Sequence, residues 1–135
     1  MTRREAREQA LCLIFEGLFH DESLTGIVEL AKEARQLEPD PFAMELADGV
    51  TGHIAEIDEK VGKYSIGWSK ERISRVVLSI LRLSFYELCF LDNIPISVTI
   101  NEAVELAKKY GGEGDAGFIN GILGSYVRAE KADEV

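Results

Sequence analysis

The sequence predicts an all-α domain of about six or seven helices packed around one core. Apolar residues recur at helical spacing along most of the chain, and no segment shows the two-residue alternation that a half-buried strand requires. Hydrophobic residues make up 46% of the 135 residues and charged residues 29%, which is typical of a globular protein rather than a disordered one. We therefore predict a single domain over residues 1–135.

The first three helices are predicted from capping signals and apolar spacing. Thr2 and Glu5 have the spacing of a capping box, in which each side chain satisfies a backbone N–H of the first turn. A second helix is predicted over residues 24–35. Asp40 suits the N-cap of the third, which continues on its apolar spacing to Val61. Gly49 and Gly52 in this helix would let another helix approach closely.

The following helix is predicted to be central, because apolar residues cover much of its circumference between residues 73 and 91. Ser69 is its predicted N-cap, and residues 64–68 are the predicted connection before it. Asn93 and Pro95 are expected to end it. Arg82 and Glu87 interrupt this most apolar stretch of the chain, which favours a core helix over a membrane span.

Two further helices are predicted near the carboxyl end. Thr99 and Glu102 repeat the spacing of a capping box, so we expect a helix to begin there. Gly111 and the glycine after it are expected to end that helix. Asp115 is the predicted N-cap of the last helix.

Charge gives mixed indications about partners. The formal net charge of −9 argues against a surface that attracts nucleic acid. Basic residues nevertheless cluster near both ends of the chain, and the distribution of charge matters more than the sum. These residues are Arg3, Arg4 and Arg7 at the start and Lys108, Lys109, Arg128 and Lys131 near the end. The first residues are charged and no long apolar segment follows them, so no signal peptide and a cytoplasmic location are expected.

Catalytic, metal and cofactor sites have little support in the sequence. His20 and His53 are far apart and belong to no metal-binding or catalytic spacing. The glycines between residues 111 and 117 lack the lysine and hydroxyl residue of a phosphate loop, so they are interpreted as a helix connection. Cys12 and Cys89 form no CxxC pair and are predicted to be buried thiols, although a disulfide between them stays open. We expect no catalytic residue, no metal and no cofactor.

The amino-terminal arginines are the most suggestive functional residues. Arg3, Arg4 and Arg7 lie within about one turn, and their guanidinium groups match phosphate oxygens. The alternative is an ordinary solvated helix face. Phe15 lies two turns after Arg7, where it would either stack on an unpaired base or belong to the core. Asn120 is explained either by a close helix crossing at Gly121 with a hydrogen bond from the asparagine, or by contact with a ligand.

Four segments together resemble the NusB family. They occur in the family's order, and the pattern is densest between residues 80 and 123. They read RREAREQAL (3–11), ILRLSFYEL (80–88), IP (94–95) followed by INEAVELAK (100–108), and FINGIL (118–123).

The resemblance implies an all-α fold of two small helical bundles packed together and a role in transcription antitermination, chiefly on ribosomal RNA operons. It implies binding of single-stranded boxA-type RNA together with NusE, a ribosomal small-subunit protein, and association with the elongating RNA polymerase and other Nus factors. No reaction, metal or cofactor is implied. Carried over by position, the RNA-binding residues are Arg3, Arg4, Arg7, Phe15, Phe118, Asn120, Lys108 and Lys109.

Three alternatives accompany this hypothesis. A helical adaptor that binds only protein would not depend on the amino-terminal arginines. A NusB-like domain also occurs at the start of certain RNA cytosine methyltransferases, but 135 residues leave no room for the methyltransferase domain. Some members of the family are homodimers, and an apolar patch around Leu13 and Phe15 would be consistent with self-association.

Overall fold

The computed structural model describes residues 1–68 and 73–134. These residues form seven α-helices and no β-strand, which confirms the predicted fold class. The helices are α1 (Arg3–Glu16), α2 (Leu24–Arg35), α3 (Pro41–Gly52), α4 (Ile54–Tyr64), α5 (Arg75–Phe90), α6 (Ile96–Tyr110) and α7 (Asp115–Glu130), and a short 3₁₀ helix (Ala132–Glu134) follows α7. None of the described helices has both the length and the apolar composition that crossing a membrane requires.

The helices form two bundles that share one core. Helices α1, α2 and α3 contact one another, and so do α4, α5, α6 and α7 around α5. The bundles meet where α1 and α3 pack against α5. Ten of the sixteen residues of α5 are buried, so the prediction that this helix is central is confirmed. A smaller apolar cluster anchors α2, with Ile27, Val28 and Ala31 packed against Leu13 and Ala47.

The predicted starts of the first three helices are confirmed. The Glu5 N–H donates to Thr2 Oγ1 at 3.0 Å, and the Thr2 N–H donates to Glu5 Oε1 at 2.8 Å, which completes the capping box. Helix α2 has the predicted bounds. Asp40 caps α3 by accepting the Ala43 N–H at 3.0 Å, and Pro41 occupies the first helical position.

The predicted continuous helix from Asp40 to Val61 is wrong, because the chain breaks at His53. This residue leaves helical geometry with φ −122° and ψ 24°, and α4 starts immediately after it. Ile54, expected to point inward, is exposed. The glycine at position 52 favours the break since glycine is a poor helix former. The His53 ring stacks on Phe90 with centroids 4.0 Å apart, so the break is held by α5.

Two other predicted helix starts are also wrong. Helix α6 begins at Ile96, so Thr99 lies inside it as a buried residue and not at a cap. Asp115 is the first residue of α7, and Gly114, with φ 84°, occupies the cap position. Asp115 Oδ2 instead accepts the Gly112 N–H at 2.7 Å, which orders the turn before the helix. The predicted Ser69 cap lies outside the described residues, and α5 is capped by Ser74.

Close helix approach is confirmed at Gly49 only. A Cβ at this position would overlap the ring of Tyr86 on α5, so glycine is required where α3 and α5 meet. At Gly52 and Gly121 a Cβ would meet nothing within 4 Å, so neither residue marks a close crossing. The prediction that Asn120 lies beside a close helix crossing at Gly121 is therefore wrong.

This difference gives a paired prediction. Gly49→Ala is expected to lower the free energy of unfolding by about 1–3 kcal/mol, because the added methyl group would force the Tyr86 ring to move. Gly121→Ala is expected to raise it by about 0.5–1 kcal/mol, because alanine is the better helix former and has open space. Urea denaturation of both variants measures the two values. A Gly49→Ala variant as stable as the unmodified protein would contradict the close approach.

Candidate nucleic-acid interface

Arg7 belongs to the core and does not present its guanidinium to a ligand. Its side chain is 5% exposed and that of Glu87 is 2% exposed. Arg7 Nε and Nη2 donate to the two Glu87 carboxylate oxygens at 3.0 and 2.9 Å, and Thr99 Oγ1 donates to Glu87 Oε1 at 3.1 Å. The prediction that Arg7 contacts phosphate directly is therefore corrected, because its forked donors are already occupied by a buried carboxylate.

Arg3 and Arg4 are both exposed at the start of α1, but their surroundings differ. The Arg3 guanidinium lies 3.9 Å from the centroid of the Phe42 ring, and no carboxylate of the described residues forms an ion pair with it. Arg4 Nε and Nη2 donate to the two oxygens of Glu102 on α6 at 3.0 and 3.2 Å. That hydrogen bonding, and then the charge of Glu102, raises the pKa of Arg4.

Lys108 and Lys109 lie in the last turn of α6, near the start of α1. Lys109 Nζ donates to both carboxylate oxygens of Glu8 on α1, at 2.9 and 3.0 Å. This contact raises the pKa of Lys109. Lys108 Nζ lies 3.6 Å from Glu105 on its own helix. Four of the predicted basic residues thus gather on one surface: Arg3, Arg4, Lys108 and Lys109.

Phe15 is half-buried near the other end of α1. Its ring packs edge-on against Phe19, with centroids 5.0 Å apart, and the Arg75 guanidinium lies 4.7 Å from the Phe19 centroid. Phe19 is more exposed than Phe15, and Leu13 is buried. The apolar patch expected around Leu13 and Phe15 is therefore formed by Phe15 and Phe19 instead. Phe15 lies about 16 Å along the helix axis from Arg4.

Phe118 is a core residue, since it is only 3% exposed. The expectation that its own ring contacts RNA is corrected, because the Trp68 ring packs edge-on against it with centroids 4.7 Å apart. Trp68 is 51% exposed and is the aromatic surface that this pair presents to solvent. Trp68 was predicted to be part of a connection and not a functional candidate, although a lone tryptophan between a glycine and a serine was a usable signal.

Asn120 is exposed on α7 beside an open apolar cleft between α6 and α7. The cleft has a volume of about 830 Å³. Its apolar wall is formed by Pro95, Ile96, Ile100, Val104, Ala116 and Val127, and Asn101 and Asn120 contribute amides. A surface that is apolar with a few polar groups suits a protein segment better than a phosphate backbone.

The described residues contain no grouping of three histidine, cysteine, aspartate or glutamate side chains that could hold a metal ion. Cys12 and Cys89 are half-buried and not joined in a disulfide. Burial raises the pKa of both thiols, which lowers their reactivity at neutral pH. The exposed cations and the apolar cleft are the surfaces of this region that suit charged and apolar partners.

Comparison with known proteins shows which family this chain resembles over nearly its whole length. The sequence matches the model of the NusB family over residues 2–128. It is 42% identical to the transcription antitermination protein NusB of Acetivibrio thermocellus, over 96% of this chain and 91% of that protein. It is also 42% identical to the NusB of Clostridium botulinum, over 94% of this chain and the whole of the relative.

Solved structures of similar proteins share the fold. NusB of T. maritima superposes with a TM-score of 0.81 at 36% identity, covering 95% of this chain and 92% of that one. A structure of the antitermination factors NusB and NusE in complex with double-stranded RNA contains a chain with a TM-score of 0.81 at 28% identity, covering 94% of this chain and 96% of that one. By sequence match over nearly its whole length and by fold, this chain belongs to the NusB family of transcription antitermination proteins.

Proposed function

We propose that this chain binds boxA-type single-stranded RNA together with the ribosomal protein NusE and joins the elongating RNA polymerase with other Nus factors, mainly on ribosomal RNA operons. The observation that carries the RNA part is the exposed set of Arg3, Arg4, Lys108 and Lys109 where α1 begins and α6 ends. The set groups four exposed cations on a protein of net charge −9. Membership of a family with a relative solved beside NusE and RNA supports the same assignment.

The proposed RNA contacts are of two kinds. The exposed arginines and lysines contact phosphates, which gives affinity without base specificity. Phe15 offers an aromatic surface for a base, and Asn120 offers an amide for a polar contact. Arg7 and Phe118 act from the core: Arg7 fixes α1 on α5 through Glu87, and the Phe118 ring packs against the exposed Trp68.

The cleft between α6 and α7 supports the proposed protein partner. Its wall is mainly apolar and open to solvent, whereas a surface that binds only phosphate needs cations. We assign NusE to this side of the molecule, which lies on the carboxyl-terminal helices. The complex would work in the cytoplasm, where RNA polymerase transcribes.

The experiment that tests the RNA assignment is fluorescence anisotropy of a labelled boxA-type strand, with a scrambled strand beside it, in the presence and absence of NusE. Replacing Arg3, Arg4 and Lys109 by alanine is expected to weaken binding at least about tenfold. It should also reduce the slope of log affinity against log salt concentration by about 0.7 for each phosphate contact that is lost.

The matched control removes three exposed basic residues from other helices: Lys32, Lys63 and Arg128. Both variants lose three positive charges, so a difference in RNA affinity between them shows that binding depends on the position of the cations. Equal binding by both variants would contradict the RNA surface. Tight NusE binding without any preference for the boxA-type strand would favour the adaptor that binds only protein.

A further inference from the structure

Three of the four cations at the RNA surface are paired with carboxylates of the same protein. Arg4 on α1 is paired with Glu102 on α6, and Lys109 on α6 is paired with Glu8 on α1. The two pairs therefore cross between the helices in opposite directions. With the pair of Lys108 and Glu105, three carboxylates offset three of the four cations, and Arg3 has no ion pair among the described residues.

The carboxylates lie deeper than the cations they neutralise. The Glu102 side chain is 15% exposed and that of Arg4 is 54% exposed, while Glu8 is 22% exposed and Lys109 is 57% exposed. Tyr110 also donates its hydroxyl to Glu8 Oε2 at 3.2 Å. The four charged residues line a groove of about 210 Å³ whose base is acidic and whose rim is basic. Glu105 lines the same groove, so a phosphate that enters it meets the cations and three negative charges.

We propose that Glu8 and Glu102 act as an electrostatic brake on RNA binding by occupying the donors of Lys109 and Arg4. This inference rests on the proposed RNA-binding function and concerns the regulation of that surface. In each pair the cation donates two hydrogen bonds to the carboxylate, and a phosphate would otherwise accept these hydrogen bonds. Both carboxylates also repel the backbone of the nucleic acid from within hydrogen-bonding distance of the cations.

The geometry excludes the same role for Glu87. That carboxylate is buried with Arg7 and Thr99, so it neither faces the groove nor holds an exposed cation. Glu105 is 40% exposed and pairs with Lys108 on its own helix at 3.6 Å, so it does not bridge α1 and α6. The brake therefore consists of two residues on two different helices. A partner that changed the spacing of α1 and α6 would release Arg4 and Lys109 together, because each pair bridges these helices.

The test is the double variant Glu8→Gln and Glu102→Gln, titrated into the labelled boxA-type RNA at several salt concentrations with and without NusE. Glutamine keeps the shape of glutamate and removes the charge. We expect the double variant to bind about tenfold more tightly than the unmodified protein. The slope of log affinity against log salt concentration should become steeper by up to about 1.4, because two more cations contact phosphates.

The control is the double variant Glu33→Gln and Glu59→Gln, which removes two exposed carboxylates from α2 and α4. It tests whether the gain comes only from lower net negative charge, and it is expected to leave the salt slope unchanged. A gain no larger than that of the control would overturn the brake. Weaker binding by the Glu8 and Glu102 variant would overturn it too, by showing that these carboxylates orient the cations for RNA.

A mutant cycle gives a second measurement. Arg4→Gln should reduce RNA affinity more in the Glu102→Gln background than in the unmodified protein, because there the guanidinium does not divide its donors between a carboxylate and phosphate. Equal losses in the two backgrounds would count against the brake. If the unmodified protein and all variants fail to bind RNA, the proposed function itself fails. If the unmodified protein binds RNA and the glutamine variants bind no more tightly, the brake is contradicted but the proposed function is not.

Discussion

Replacing Arg7 by alanine is expected to lower the free energy of unfolding by about 3–5 kcal/mol, a large part of the roughly 5–15 kcal/mol that stabilises a domain of this size. The reason is the Glu87 carboxylate, which would remain buried on α5 without its cation. Thr99 would be its one remaining side-chain hydrogen-bond donor among the described residues. Urea denaturation followed by circular dichroism measures the loss.

A triple variant distinguishes the cost of leaving the Glu87 carboxylate without a cation from the cost of losing the packing of the Arg7 side chain. Arg7→Met, Glu87→Leu and Thr99→Val replace the three polar side chains by apolar ones of similar size, and such replacements are often neutral or stabilising. We expect this variant to recover most of the stability that Arg7→Ala loses. A loss below about 1 kcal/mol for Arg7→Ala would show that the buried pair is not formed. Weaker RNA binding by fully folded Arg7→Ala would instead restore a direct role for this arginine.

Leu81→Asp is expected to leave the protein unfolded. Leu81 has no exposed surface and lies in the middle of α5, the helix that contacts both bundles. A carboxylate there has no cation to pair with in an apolar core, and burying a charge without a partner costs several kcal/mol beyond the lost apolar contacts. Circular dichroism and the dispersion of the NMR spectrum measure whether the variant folds.

Leu30→Asp provides the matched control, because Leu30 is an exposed leucine on α2. The same chemical change there is expected to alter stability by no more than about 0.5 kcal/mol. If Leu81→Asp folds as well as Leu30→Asp, the assignment of α5 to the centre of the core is wrong.

Helix starts were predictable from the sequence where the side chain of the capping residue accepts an N–H of the first turn of its own helix. Thr2 with Glu5 and Asp40 with Pro41 are such cases, and both were predicted correctly. Thr99 with Glu102 has the same spacing as Thr2 with Glu5, but the hydroxyl of Thr99 is used by Glu87, twelve residues earlier in the chain. A local pattern cannot distinguish these uses because the deciding partner lies on another helix.

The break at His53 was missed for a related reason. The spacing of Val50, Ile54 and Ile57 satisfies a helical period, but the backbone of His53 is not helical and Ile54 is exposed. The His53 ring packs on Phe90 and holds the break between α3 and α4. This contact joins residues far apart in sequence, so a local pattern does not reveal it.

The candidate site was predictable as a cluster of charge but not in its detail. Arg3 and Arg4 are exposed as expected, whereas Arg7, one turn later, points into the core. Helical periodicity alone allowed either orientation. The informative residue was Glu87, since a carboxylate within the apolar stripe of a central helix requires a buried partner. The carboxylates that neutralise Arg4 and Lys109 were equally hidden, because each comes from the opposite helix.

The contact of Arg7 with Glu87 and Thr99 has a consequence for how the two bundles fold. The carboxylate belongs to α5, one of its donors comes from α1 in the first bundle, and the other comes from α6 in the second. Separating the bundles would leave a charged group in each apolar face, so intermediates with one bundle formed and the other detached are disfavoured. The bundles therefore constitute a single cooperative unit, and neither half is a natural fragment for separate expression.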